Sequence, residues 1–70
     1  MEFNEKIKKL RNDLNLTQQQ VADSISITYQ KYQALEYGKS KPSFDTLIKI
    51  CICFNASADY LLGLKENNER

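Results

Sequence analysis

All five glutamines of this 70-residue chain fall in one stretch, LTQQQVADSISITYQKYQALEYG, which runs from Leu16 to Gly38. They are Gln18, Gln19, Gln20, Gln30 and Gln33. A primary amide carries no charge, yet it donates and accepts hydrogen bonds at once. It therefore suits a partner that sets a donor beside an acceptor, as adenine sets N6 beside N7 in the major groove of a duplex. An isolated surface glutamine is more often simply solvated. Whether these amides do more depends on the elements that carry them and on their neighbours.

Other chemistry has little support in the sequence. There is no histidine, no Gly-rich phosphate loop and no nucleophile set beside a base. Asp23, Asp45 and Asp59 are accounted for by helix ends or exposed faces. Cys51 and Cys53 would point about 200° apart on a helix, so they are not placed to bridge each other. A zinc site wants four ligands and finds no such set. The two thiols fit a reducing cytoplasm. No enzyme activity, metal or cofactor is expected.

The elements that must position the amides are helices. Phe3, Ile7, Leu10 and Leu14 recur at steps of three and four and form one stripe, which predicts a first helix near Asn4–Leu14. Asn15 is a natural left-handed stop. Thr17 and Gln20 make a T-x-x-Q capping box that opens a second helix ending near Ser24. Ser26 lies in a tight turn, and Ile27 plugs that turn into the core. Thr28 caps a third helix that reaches Tyr37 and stops at Gly38. Ser43 caps a fourth helix running to about Phe54, with Asn55 as its stop. Ser57 caps a short fifth helix that closes before Gly63. The fold class is all-α: one five-helix domain over residues 1–64, followed by a polar tail over 65–70.

The second and third helices, joined by a short turn, form a helix-turn-helix pattern. Advancing about 100° per residue from Thr28 puts Tyr32, Leu35 and Glu36 on one side of the third helix. Tyr29, Gln30, Gln33 and Ala34 fall on the other, with Tyr29 at its edge. The outward face is thus two amides, a phenol and a methyl group. Amides match adenine, and a methyl-sized side chain matches the thymine methyl. Lys31 lies at the flank, where a phosphate suits it better than a base.

Net charge is only +1, which is not the balance of a strongly basic nucleic-acid binder. Placement of charge therefore matters more than its sum. The uncharged runs Leu14–Ala22 and Ile50–Ala58 are too short to span a bilayer, and no secretory signal opens the chain. No membrane association is expected.

L-T-Q-x-x-V-A, then I-S-I-T, then L-E-x-G-K-x-x-P-S resembles the phage repressor and Cro family of helix-turn-helix regulators, the XRE type. The resemblance covers about Ile7 to Gly63. It implies a lambda-repressor-like domain whose third helix enters the major groove of double-stranded DNA, usually as a symmetric dimer. It implies phosphate contacts from Thr17 and Gln18 at the start of the second helix. It implies base contacts from Tyr29, Gln30, Gln33 and Ala34. Backbone contacts follow from Tyr37, Lys39 and Lys41. It also implies an ion pair between Arg11 and Glu36 that ties the first helix to the third.

The chain departs from that pattern in several places. Ser26 stands where glycine is common, and a positive φ there would cost about 1 kcal/mol. Tyr32 stands where an aliphatic residue is common, and is expected in the core with its hydroxyl at the rim. Tyr37 stands where asparagine is frequent. Ile52 takes a place commonly charged, and with Ile48 it adds a second apolar stripe to the fourth helix. That stripe predicts a homodimer through Ile48 and Ile52, with Phe54, Tyr60 or Leu64 beside them. The expected activity is sequence-specific repression at an inverted-repeat operator. The alternative is an antitoxin that uses the same fold to bind a partner protein and its own promoter.

Overall fold

The computed structural model describes residues 1–65; the remainder of the expected tail, 66–70, lies outside the described residues. The described residues form five helices: α1 Phe3–Asp13, α2 Gln18–Ser24, α3 Tyr29–Glu36, α4 Phe44–Phe54 and α5 Ala58–Leu61. No strand occurs among them.

Local capping chemistry sets these boundaries. The Thr17 hydroxyl accepts from the Gln20 backbone N–H, and the Gln20 side chain accepts from the Thr17 N–H, so two orphan donors of α2 are satisfied reciprocally. Thr28, Ser43 and Ser57 each accept from the N–H three residues on. Glu2 and Glu5 form a further capping box at the start of α1, which begins at Phe3, one residue earlier than expected. Three non-glycine residues close turns in the left-handed region: Asn15, Ser26 and Asn55, at φ 57°, 59° and 52°. Ser26 accordingly bears the strain anticipated for a glycine position.

The core lies where the helices converge. Ile7 of α1, Val21 and Ala22 of α2, Ile25 of the turn, Tyr32 and Leu35 of α3, Ile50 and Phe54 of α4, Ala56, and Leu61 of α5 make one buried cluster. Ile27 packs against it from the turn between α2 and α3.

Four expectations need correction or addition. Leu14 lies past α1 as its C-cap and is exposed, so the expected apolar stripe ends at Leu10. The Tyr32 hydroxyl does not reach the rim, because the whole residue is buried, the hydroxyl oxygen included. Phe54 is 4% exposed and belongs to the core, so it is not available to a partner surface. Lys6, unremarked in the sequence, is buried: its Nζ donates to the Tyr60 carbonyl at 2.7 Å and sits 4.9 Å from the centroid of the Tyr60 ring.

Candidate nucleic-acid interface

Glu36 organises the site from beneath. It sits in the last turn of α3 and its side chain is 1% exposed. Arg11 of α1 meets it with two hydrogen bonds, Nε to Oε2 at 2.6 Å and Nη2 to Oε1 at 3.1 Å. The third arm of the guanidinium, Nη1, donates to the Leu16 carbonyl at 2.9 Å, which ties the pair to the loop before α2. Burial alone would raise the Glu36 pKa. The hydrogen bond from Arg11, the nearby Tyr32 hydroxyl and the bond from Gln18 more than offset that effect, and the carboxyl is held below its usual value. The same pairing raises the Arg11 pKa, so both groups are charged.

The network continues outward. Gln18, the first residue of α2, donates from Nε2 to Glu36 Oε1 at 3.1 Å. Its Oε1 accepts from the Tyr29 hydroxyl and from Gln33 Nε2, each at 3.3 Å. Gln33 Nε2 also donates to the Tyr29 hydroxyl oxygen at 2.7 Å. A continuous polar chain therefore runs from the buried Arg11–Glu36 pair, through Gln18, to two side chains on the outward face of α3. Gln18, expected only as a phosphate contact, is half-buried and joins the two helices of the motif.

The remaining residues differ in how tightly they are held. Gln30 is exposed, and its side chain makes no hydrogen bond among the described residues. Ala34 is half-buried. Its carbonyl accepts from the Lys39 N–H at 2.9 Å, so the segment carrying Lys39 folds back onto the end of α3. Lys31, Lys39 and Lys41 are exposed, and so is Tyr37. Thr17 is exposed and occupied as the cap of α2. On α4, Ile48 and Ile52 are 43% and 68% exposed, while Leu64 is exposed and Tyr60 half-buried under Lys6. Phe44 at the start of α4 is also exposed, an apolar position the sequence did not single out.

What this arrangement can do is present an uncharged polar surface carried on a helix, with cations at its margins. A helix-turn-helix family model matches residues 7–61. The chain belongs to that family. It is 44% identical over 68 residues to the uncharacterized HTH-type transcriptional regulator YqaE of Bacillus subtilis (strain 168), covering 97% of this chain and 58% of that one. It is 35% identical over 63 residues to the cryptic phage CTXphi transcriptional repressor RstR of Vibrio cholerae, covering 90% of this chain and 56% of that one. The chain thus spans little more than half the length of these relatives. Its fold matches the P22 c2 repressor, solved in complex with a synthetic operator, with a TM-score of 0.85 at 21% identity over 89% of this chain and 94% of that one. No helix of the described residues is long and apolar enough to cross a membrane.

Proposed function

We propose that residues 1–64 act as a sequence-specific double-stranded DNA-binding domain, with α3 in the major groove, and that the protein is a transcriptional repressor acting in the cytoplasm. The observation that carries this reading is the outward face of α3. Its base-reading groups are Tyr29, Gln30, Gln33 and Ala34, and two of them are braced from behind by Gln18. Thr17, Gln18, Lys31, Tyr37, Lys39 and Lys41 supply phosphate contacts around that face. A repressor among the relatives and an operator complex among the similar folds support the assignment. The test is a binding selection from a random duplex library at one fixed, physiological salt concentration, run beside Gln30→Ala. Enrichment of a defined sequence that the variant changes or loses supports the reading. Weak binding with no enriched sequence overturns it.

The same proposal includes a homodimer. Ile48 and Ile52 form an exposed apolar stripe on α4, with Leu64 and the edge of Tyr60 as further candidates. A two-fold axis there would present two copies of α3 about 34–36 Å apart along one face of the duplex and demand an inverted-repeat operator. A monomeric sedimentation profile at high micromolar concentration would remove the dimer. The exposed stripe also favours a second reading, an antitoxin that covers Ile48 and Ile52 with a partner protein. A neighbouring toxin-like reading frame together with a monomeric profile would favour that reading over the first.

A further inference from the structure

We propose that Gln33 reads its base as a hydrogen-bond acceptor only, and that Gln30 alone is free to make the two-bonded contact to adenine. This rests on α3 reading DNA, as argued above. A glutamine amide has two N–H hydrogens and one carbonyl. Gln33 Nε2 has two acceptors within the protein, the Tyr29 hydroxyl at 2.7 Å and Gln18 Oε1 at 3.3 Å. What remains for a ligand is Gln33 Oε1.

The orientation of each amide follows from the buried carboxylate. Ionised Glu36 can only accept, so Gln18 must turn its NH2 group toward it, at 3.1 Å. That turn leaves Gln18 Oε1 facing α3, where only donors are tolerated. The Tyr29 hydroxyl meets it with its proton, and Gln33 meets it with an N–H. The Tyr29 oxygen also accepts from Gln33 Nε2. Each group fixes the next, and the polarity of the chain is set by the charge at its buried end. Arg11 holds that charge in place through two hydrogen bonds. Glu36 and Gln18 are therefore positioning residues for a specificity determinant they do not themselves form.

The consequence for recognition is specific. In the major groove, adenine N6 and cytosine N4 are donors, whereas guanine presents N7 and O6 and thymine presents O4, all acceptors. An acceptor-only Gln33 accepts adenine or cytosine and is opposed by guanine and thymine. A glutamine with a free N–H would instead favour adenine alone, because it also donates to N7.

The experiment is a set of binding selections from a random duplex library at one fixed salt concentration. The proteins are the full chain and its Gln30→Ala, Gln33→Ala and Tyr29→Phe variants. The operator position whose preference disappears in Gln33→Ala is the one Gln33 reads. In the parent protein that position is expected to enrich adenine and cytosine to within about threefold of each other, each roughly tenfold over guanine and thymine. Tyr29→Phe releases one amide hydrogen of Gln33, and the position is expected to narrow to adenine by about tenfold over cytosine. The position lost in Gln30→Ala should keep its preference in Tyr29→Phe, which a general loosening of α3 would not allow. Adenine alone or guanine at the Gln33 position in the parent overturns the assignment. So does an unchanged preference in Tyr29→Phe, or no position lost in Gln33→Ala. These outcomes leave DNA reading intact. Absence of any enriched sequence in the parent overturns the DNA reading itself and this assignment with it.

Discussion

The guanidinium of Arg11 and the carboxylate of Glu36, 25 residues apart in the chain, meet through two hydrogen bonds of 2.6 and 3.1 Å with side chains 12% and 1% exposed. Removing one partner leaves the other charged and desolvated. Arg11→Met should therefore destabilise the fold by about 3–5 kcal/mol. In Arg11→Met/Glu36→Gln much of that loss should return, because the stranded charge is gone. Urea unfolding of the two single variants and the double variant measures the coupling. Additive losses would show that the pair acts as two separately satisfied groups.

The pH dependence follows from the same pair. The Glu36 carboxyl is held below its ordinary value of 4.5 in the folded protein, with burial opposing and Arg11 dominating the hydrogen bonds that lower it. Its stabilising contribution is complete above the unfolded value. It is lost as pH falls through the folded one, because the unfolded chain binds the proton first. Thermal melts between pH 6 and pH 3 should show the gap between the parent and Glu36→Gln closing as the pH drops below about 4.5. A gap that stays constant across that range would contradict the assigned shift.

Ser26 tests the turn between α2 and α3. Its φ of 59° places a side chain in the left-handed region, which glycine occupies without a Cβ clash. Ser26→Gly is expected to stabilise by about 1 kcal/mol, less the extra freedom glycine gives the unfolded chain. A shift in urea midpoint at constant slope reads it. Destabilisation would mean that the serine side chain contributes more than the strain removes.

Much of this architecture was legible because it is written in short-range chemistry. The Thr17–Gln20 box, the caps Thr28, Ser43 and Ser57, and the stops Asn15, Asn55 and Gly38 each act within a few residues. The outward set on α3 followed from helical periodicity alone. What escaped depends on distant partners. Lys6 looks like a solvated lysine until the Tyr60 carbonyl, 54 residues on, is placed above it. Gln18 reads as a surface amide until α1 and α3 bring Glu36, Tyr29 and Gln33 to it. Phe54, by contrast, falls by helical spacing on the same face of α4 as Leu47, Ile50 and Cys51, and that is the face that packs into the core.

The phosphate contacts proposed for Lys39 and Lys41 make a prediction about salt. Both side chains are exposed, and Lys39 belongs to the segment that folds back on the Ala34 carbonyl. Each substitution to alanine should weaken binding to every duplex alike and reduce the slope of log affinity against log salt by about 0.9. Titrations of a selected and a scrambled duplex at several salt concentrations measure both effects. An unchanged slope for either variant would return that lysine to the solvated loop.

Lys6 supplies the last test, one of stability alone. Its ammonium donates to the Tyr60 carbonyl at 2.7 Å, beside the Gly63 N–H that donates to the same oxygen at 3.1 Å where α5 ends. It also lies 4.9 Å from the Tyr60 ring centroid, within the range of a cation–π contact. Lys6→Met keeps the apolar stem and removes both interactions. It should destabilise by about 1–2 kcal/mol, and the N–H groups of α5 should exchange faster than those of α2 and α3. Lys6→Arg keeps the charge but not the fit of a compact ammonium, and should recover only part of the loss. If Lys6→Met is as stable as the parent and α5 exchange is unchanged, α5 is held by Leu61 in the core and owes nothing to this lysine.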